Sequence, residues 1–124
     1  MGVKRHNIEL GRWGERLAET HLVESGAKIL ARNYRSAPGE IDLIMEDDGE
    51  LVAVEVKTRT DLDLEQPEEA VTRWKLLRMA RGLQTYAINN DLEDRPMRLD
   101  VVAVVLNLDG SVQRLTHLRS VYTG

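Results

Sequence analysis

The chain has 124 residues, with 17 Lys and Arg against 21 Asp and Glu, a net charge of −4 and no cysteine. That length suits one domain with a core that needs no staples, and the missing cysteine excludes disulfides and zinc-thiolate sites. The charge argues against coating nucleic acid by bulk attraction, although enough cations are present to cluster locally. No apolar run approaches membrane-spanning length and no signal-peptide core opens the chain, so the expected location is cytoplasmic.

Residues 1–7 carry Lys4, Arg5 and His6 and read as a loose basic tail. From Ile8 to Ser25 the pattern is helical, with Leu10, Trp13, Leu17 and His21 on one stripe and Gly11, Gly14, Glu15, Ala18 and Leu22 on its neighbour. Gly26 sits where a left-handed cap would stop the helix. Glycines inside a helix cost about 1 kcal/mol each relative to alanine, so Gly11 and Gly14 point to close approach of another backbone. Glu15 lies among these small residues rather than with Arg12, Arg16 and Glu19. It is a candidate site carboxylate, with a half-exposed glutamate paired to a nearby arginine as the plain alternative. Lys28–Tyr34 reads as a first strand and Ser36-Ala37-Pro38-Gly39 as a turn.

Two apolar runs follow, Ile41–Met45 and Leu51–Val56, on either side of Asp48-Gly49, a pair that favours a two-residue hairpin turn. Counting outward from it, Glu46 faces Leu51, Ile44 faces Ala53, Asp42 faces Glu55 and Glu40 faces Lys57. Directly opposed residues in such a ladder have Cβ atoms about 4.5–5.5 Å apart, and like charges there repel. A strand as apolar as Leu-Val-Ala-Val-Glu-Val gains no stability from a central Glu55, because burying a carboxylate is costly without compensation. Two carboxylates converging from adjacent strands, with Lys57 two residues beyond one of them, suggest a site for Mg²⁺ or Mn²⁺, which prefer oxygen ligands. On the same face as Glu55, Lys57 would hold or polarise a water or neutralise a phosphate. The plainer alternative is an edge hairpin that shows these charges to solvent as a salt-bridged face.

Thr58–Glu65 is a polar loop in which Arg59 is a candidate phosphate contact. Pro67 is expected to open a second helix, with Glu68 and Glu69 in its first turn, running to about Asn89. Its apolar stripe reads Val71, Trp74, Leu77, Leu83 and Ala87, and Arg73, Lys75, Arg78 and Arg81 make its middle basic. That basic face is either simply solvated or, beside a metal site, a sequence-independent contact with a phosphate backbone. Val101–Leu106 is too β-branched and continuous for a surface element and reads as a central strand covered on both faces. Ser111–Leu115 is a candidate edge strand, and the three histidines have no metal-ligand spacing. The order is helix, three strands with a hairpin, helix, strand: an α/β chain whose mixed central sheet lies between helices.

That order, with Asp42 and Glu55-Val56-Lys57 on adjacent strands, resembles the restriction-endonuclease-like αβββαβ core of the PD-(D/E)XK nuclease superfamily. Gly11-Arg12-Trp13-Gly14-Glu15, Gly39-Glu40-Ile41-Asp42-Leu43-Ile44 and Val54-Glu55-Val56-Lys57-Thr58-Arg59 look like the YraN-like family of bacterial predicted endonucleases. Pro67-Glu68-Glu69-Ala70-Val71 and Arg98-Leu99-Asp100-Val101-Val102 extend the match from about Leu10 to Leu106. The resemblance implies metal ligation by Asp42, Glu55 and the Val56 carbonyl, a catalytic Lys57, and Glu15 as the first-helix acid of the related archaeal Holliday junction resolvases. No proline immediately precedes Asp42, and Thr72-Arg73-Trp74-Lys75 stands where the family usually reads Thr-Pro-Arg-Lys. The implied activity is Mg²⁺- or Mn²⁺-dependent hydrolysis of DNA, branched DNA included, by a homodimer, with a protein partner for targeting as a further expectation. The rivals are a non-catalytic nucleic-acid-binding module and a protein-interaction scaffold on the same fold.

Overall fold

The computed structural model describes residues 2–60, 63, 67 and 71–121, with side chains from Ile8 onward. Helix α1 (Gly2–Glu24) is followed by strands β1 (Lys28–Ser36), β2 (Gly39–Asp47) and β3 (Glu50–Thr60), helix α2 (Arg73–Asn89), and strands β4 (Met97–Leu106) and β5 (Val112–Leu118). The helix backbone of α1 runs back to Gly2, through the segment read as a tail.

The five strands form one sheet in the order β1-β2-β3-β4-β5. Only β3 and β4 are parallel, and every other neighbouring pair is antiparallel. This is the expected mixed sheet, and the candidate edge strand at Ser111–Leu115 is present as β5. The continuous apolar run of β4 is buried on both faces from Leu99 to Val104, as a strand covered by helices on both sides requires. Ala18 and Leu22 of α1 pack on Leu43, Met45, Val52, Val54, Val102 and Val104. On the opposite face Leu76, Met79, Leu83 and Ala87 of α2 pack on Ile41, Ile44, Leu51, Ala53 and Leu99.

The hairpin turn is the one its chemistry demands. Asp48 (φ 54°) and Gly49 (φ 82°) both take positive dihedrals, and the ladder pairs Asp47 with Glu50, Glu46 with Leu51 and Ile44 with Ala53. The expected register is correct as far as Leu43 opposite Val54, where the ladder ends, so the expected pairs of Asp42 with Glu55 and Glu40 with Lys57 are not formed. Strand alternation slips just beyond: Ile41 and Leu43, two residues apart, lie on opposite faces. Asp42 sits between them.

Helix α2 begins later than Pro67. Thr72 caps it, its Oγ1 accepting from the Lys75 amide at 3.1 Å, while Glu68 and Glu69 lie outside the described residues. Its buried line is Leu76, Met79, Leu83 and Ala87, and Trp74, expected in the stripe, is 64% exposed. The buried arc is centred on Leu76, Met79, Leu83 and Ala87, and at 3.6 residues per turn Trp74 falls on the opposite side of the helix.

Candidate active site

The end of the β2–β3 ladder opens a groove of about 900 Å³ between α1 and β3, lined by Glu15, Asp42, Glu55, Val56, Lys57 and Lys75 among others. Where Asp42 would continue the backbone ladder, its carboxylate does so instead: the Val56 amide donates to Asp42 Oδ2 at 2.8 Å. That bond satisfies a strand amide and fixes the carboxylate beside β3. Glu55, the next residue up β3 from the last ladder pair, has its side chain only 5% exposed.

Glu55 is poorly compensated for a buried charge. Its Oε2 forms an ion pair with the Lys75 ammonium, yet no donor meets that oxygen in hydrogen-bond alignment. Burial, reinforced by the hydrogen bond and negative charge of Asp42, pushes the Glu55 carboxyl up to about 8 against the opposing pull of Lys75. Burial also holds Glu15 above its ordinary value, helped by the charges of Glu40 and Glu55 and opposed by a hydrogen bond to Asp42. Glu15 lines the groove with Asp42 and Glu55, so all three expected carboxylates face one space.

Two lysines share this anionic cluster and differ. Burial, together with the neighbouring Lys75, lowers the Lys57 ammonium. Burial alone would lower Lys75 as well, but its bonds to Glu55 and Lys57 raise it instead. Lys75 was expected only as a nucleic-acid contact. That α2 crosses β3 where residue 75 meets residue 55 is a tertiary fact that no local pattern carries.

The close approach of α1 depends on Gly14. A Cβ added there would stand 1.9 Å from Thr58 Oγ1 of β3, whereas one added at Gly11 meets nothing within 4 Å. Gly14 thus permits the contact that seats its neighbour Glu15 against the strand, and Gly11 has no such packing role.

The expected phosphate contacts divide. Arg59 lines the groove, its Nη1 donating to the Thr58 carbonyl at 2.9 Å. Arg12 of α1, which the sequence did not single out for this purpose, lines it too. Arg73 is exposed at the start of α2. Arg78 instead donates from Nε to the Pro38 carbonyl at 2.7 Å and braces the β1–β2 turn.

Among the described residues no three His, Cys, Asp or Glu side chains form a group that could hold a metal ion. The pair Asp42 and Glu55, which line one groove, offer donors suited to a divalent cation. They fit one on two counts: all their donor atoms are hard oxygens, and Glu55 Oε2 is buried without an aligned donor. Mg²⁺ commonly takes one or two protein carboxylates and leaves its other positions to water and phosphate. Among the described residues no helix is long and apolar enough to cross a membrane.

A family model described as Uncharacterised protein family UPF0102 matches residues 14–104. The chain is 43% identical to a UPF0102 protein of Beutenbergia cavernae over 112 residues, covering 90% of this chain and 94% of the relative. It is 43% identical to one from Paenarthrobacter aurescens over 122 residues, covering 98% and 99%. To one from Clostridioides difficile it is 36% identical over 117 residues, covering 94% and 99%.

Proposed function

The chain belongs to the uncharacterised protein family UPF0102, and we propose that it is a divalent-metal-dependent endonuclease hydrolysing DNA phosphodiester bonds, branched DNA such as Holliday junctions included. The observation that carries this reading is Glu55, buried in a central strand and lining one groove with Asp42, Glu15, Lys57 and Lys75. A carboxylate placed so unfavourably, in a cleft and with a strongly perturbed protonation, marks a site built for chemistry rather than stability.

Asp42 and Glu55, with the Val56 carbonyl as a further oxygen, would hold Mg²⁺ or Mn²⁺. Bound there, such an ion supplies Lewis-acid charge at the scissile phosphate and makes water a stronger acid. The chain's own groups do the rest. The Asp42–Val56 bond fixes one carboxylate, and strand β3 fixes the other. Lys57, two residues beyond Glu55 on the same face, orients the attacking water and takes or holds its proton at Nζ. Glu15 reaches in from α1 to position that water, and Arg12 and Arg59 at the groove wall meet the flanking phosphates as sequence-independent contacts.

The test is cleavage of labelled four-way, flap, single-stranded and linear duplex DNA with Mg²⁺ or Mn²⁺, with Glu55→Gln and Lys57→Ala run in parallel. The expected result is metal-dependent cleavage by the wild type alone, and the favoured substrate then names the class of nuclease. Absence of cleavage on every substrate, with metal bound, would sink the catalytic reading and leave the non-catalytic nucleic-acid-binding module. That rival draws on the absence, among the described residues, of a three-ligand metal group.

A further inference from the structure

Lys75 has a role that neither the phosphate-contact expectation nor the proposed hydrolysis assigns to it. Its backbone is fixed: Thr72 caps the helix start and Leu76, the next residue, is buried in the core. Its side chain is not confined, being 37% exposed along the groove wall while its ammonium pairs with Glu55 Oε2. The pairing is a close ion pair between the Lys75 ammonium and the buried carboxylate. Lys57 lines the same groove from β3, so a second cation stands near these carboxylates. A buried carboxylate stripped of any cation is strongly destabilising. The Lys75 ammonium is the cation that faces Glu55 Oε2, and a long, half-exposed side chain on a helix can both supply and withdraw it.

We propose that Lys75 is a resident counter-ion, a positioning residue that occupies the Glu55 side of the site and that a divalent cation must displace. The inference rests on the metal-dependent reading of the site. On displacement the ammonium moves along the groove wall, where an incoming phosphate offers it a new partner. The arrangement keeps Glu55 correctly placed before metal arrives and ties release of a cation for the substrate to metal entry.

The first readout is metal affinity, not cleavage. Mn²⁺ binding to the wild type, Lys75→Met and Lys75→Gln is measured calorimetrically and by the rise of Tm with metal concentration. If Lys75 holds Glu55 about nine-tenths of the time, removing its charge strengthens metal binding roughly tenfold. Both variants should show this, with a lower Tm than the wild type in the absence of metal. Equal or weaker binding by the folded variants, with the wild type still binding, overturns the inference and leaves the metal site standing. No binding by any of the proteins overturns both. A second measurement needs no variant: Mg²⁺ should increase acylation of Lys75 by acetic anhydride severalfold in the wild type, read by peptide mass spectrometry, with exposed Lys28 unchanged. Reactivity of Lys75 that falls or stays constant on metal addition counts against displacement.

Discussion

Glu55 in β3 and Asp100 in β4 are both carboxylates buried in central strands, and the chain treats them in opposite ways. Asp100, wholly buried, accepts a two-pronged bond from Arg98 (Nε to Oδ1 at 2.9 Å, Nη2 to Oδ2 at 3.0 Å), lies 2.8 Å from His117 Nε2, and accepts from the Ser120 amide at 3.0 Å. Arg98 in turn reaches Asp47 at 2.8 Å and Glu50 at 3.2 Å, so one network ties β4 to the hairpin turn and to β5. Glu55 has a second carboxylate beside it and one misaligned ammonium. Burial tends to raise both carboxyls, but His117, Arg98 and the Ser120 amide bring Asp100 below its ordinary value, while Glu55 rises to about 8. Burial of a charge is thus not itself a sign of function. A complete set of partners marks a structural charge, and an incomplete one in a groove marks a site.

The largest effect separating the two regions is expected from Asp100→Asn. It leaves the Arg98 guanidinium, 9% exposed, without its two-pronged partner, although Asp47 and Glu50 still face it, and breaking such a pair from one side costs about 3 kcal/mol. In calorimetry that should lower Tm by on the order of 10 °C, while cleavage per folded molecule, if the proposed activity is found, stays unchanged. Because the folded carboxyl is held below its unfolded value of 3.8, its contribution is present at neutral pH and lost only as pH falls through the folded value. The Tm gap between wild type and variant should therefore hold from neutral pH to about pH 4 and close below it. A variant as stable as the wild type at pH 7 would show that the network carries no net stability.

Gly14→Ala is expected to fall between the two regions, because it acts on packing that serves the site. Its Cβ would meet Thr58 Oγ1, and overpacking of this kind costs about 1–3 kcal/mol. Replacing Thr58 by Ala in the same chain should recover part of the lost Tm, since the nearest clashing atom is then gone. No recovery would place the strain elsewhere in α1.

The Gly14 contact was readable in advance because a glycine in a helix is a local anomaly. The hairpin register was readable for a similar reason, since Asp48-Gly49 dictates its own turn and the ladder follows by counting. What failed to show in the sequence was set by longer-range geometry. The Asp42–Val56 bond exists because the ladder ends at Leu43 and Val54, and strand patterns do not announce where a ladder ends. Helix α2 was placed too early because Pro67 is as good a start signal as Thr72, and Trp74 entered the stripe because an apolar side chain in a helix does not itself say which face is covered. Arg98 and Asp100 share a strand face by their two-residue spacing, but His117 reaches them from β5, 17 residues along the chain. Asp42, Glu55 and Lys57 stood out as charges in apolar strands and Glu15 as an acid among small helix residues, whereas Lys75 is brought to the groove only through the path of α2 over the sheet.

The smallest effect expected, and the one of opposite sign, is a gain in stability from Glu55→Gln. The folded carboxyl near 8 lies above its ordinary 4.5, so between those values the folded state keeps a proton that the unfolded chain has released. Stability from this group therefore falls as pH rises through that window. Glutamine keeps the shape and carries no charge, so the variant escapes the fall. Lys75 loses its partner but, being 37% exposed, retains contact with water. Near pH 8 the net gain should be on the order of 1 kcal/mol, a rise of a few degrees in Tm without metal, shrinking toward zero at pH 5. Saturating Mn²⁺ should reverse the order, because the wild type alone then has a cation to stabilise it. A metal-free Glu55→Gln protein that melts below the wild type at pH 8 would mean that Lys75 satisfies Glu55 as fully as Arg98 satisfies Asp100. The contrast between the two regions would then be one of position rather than of energy.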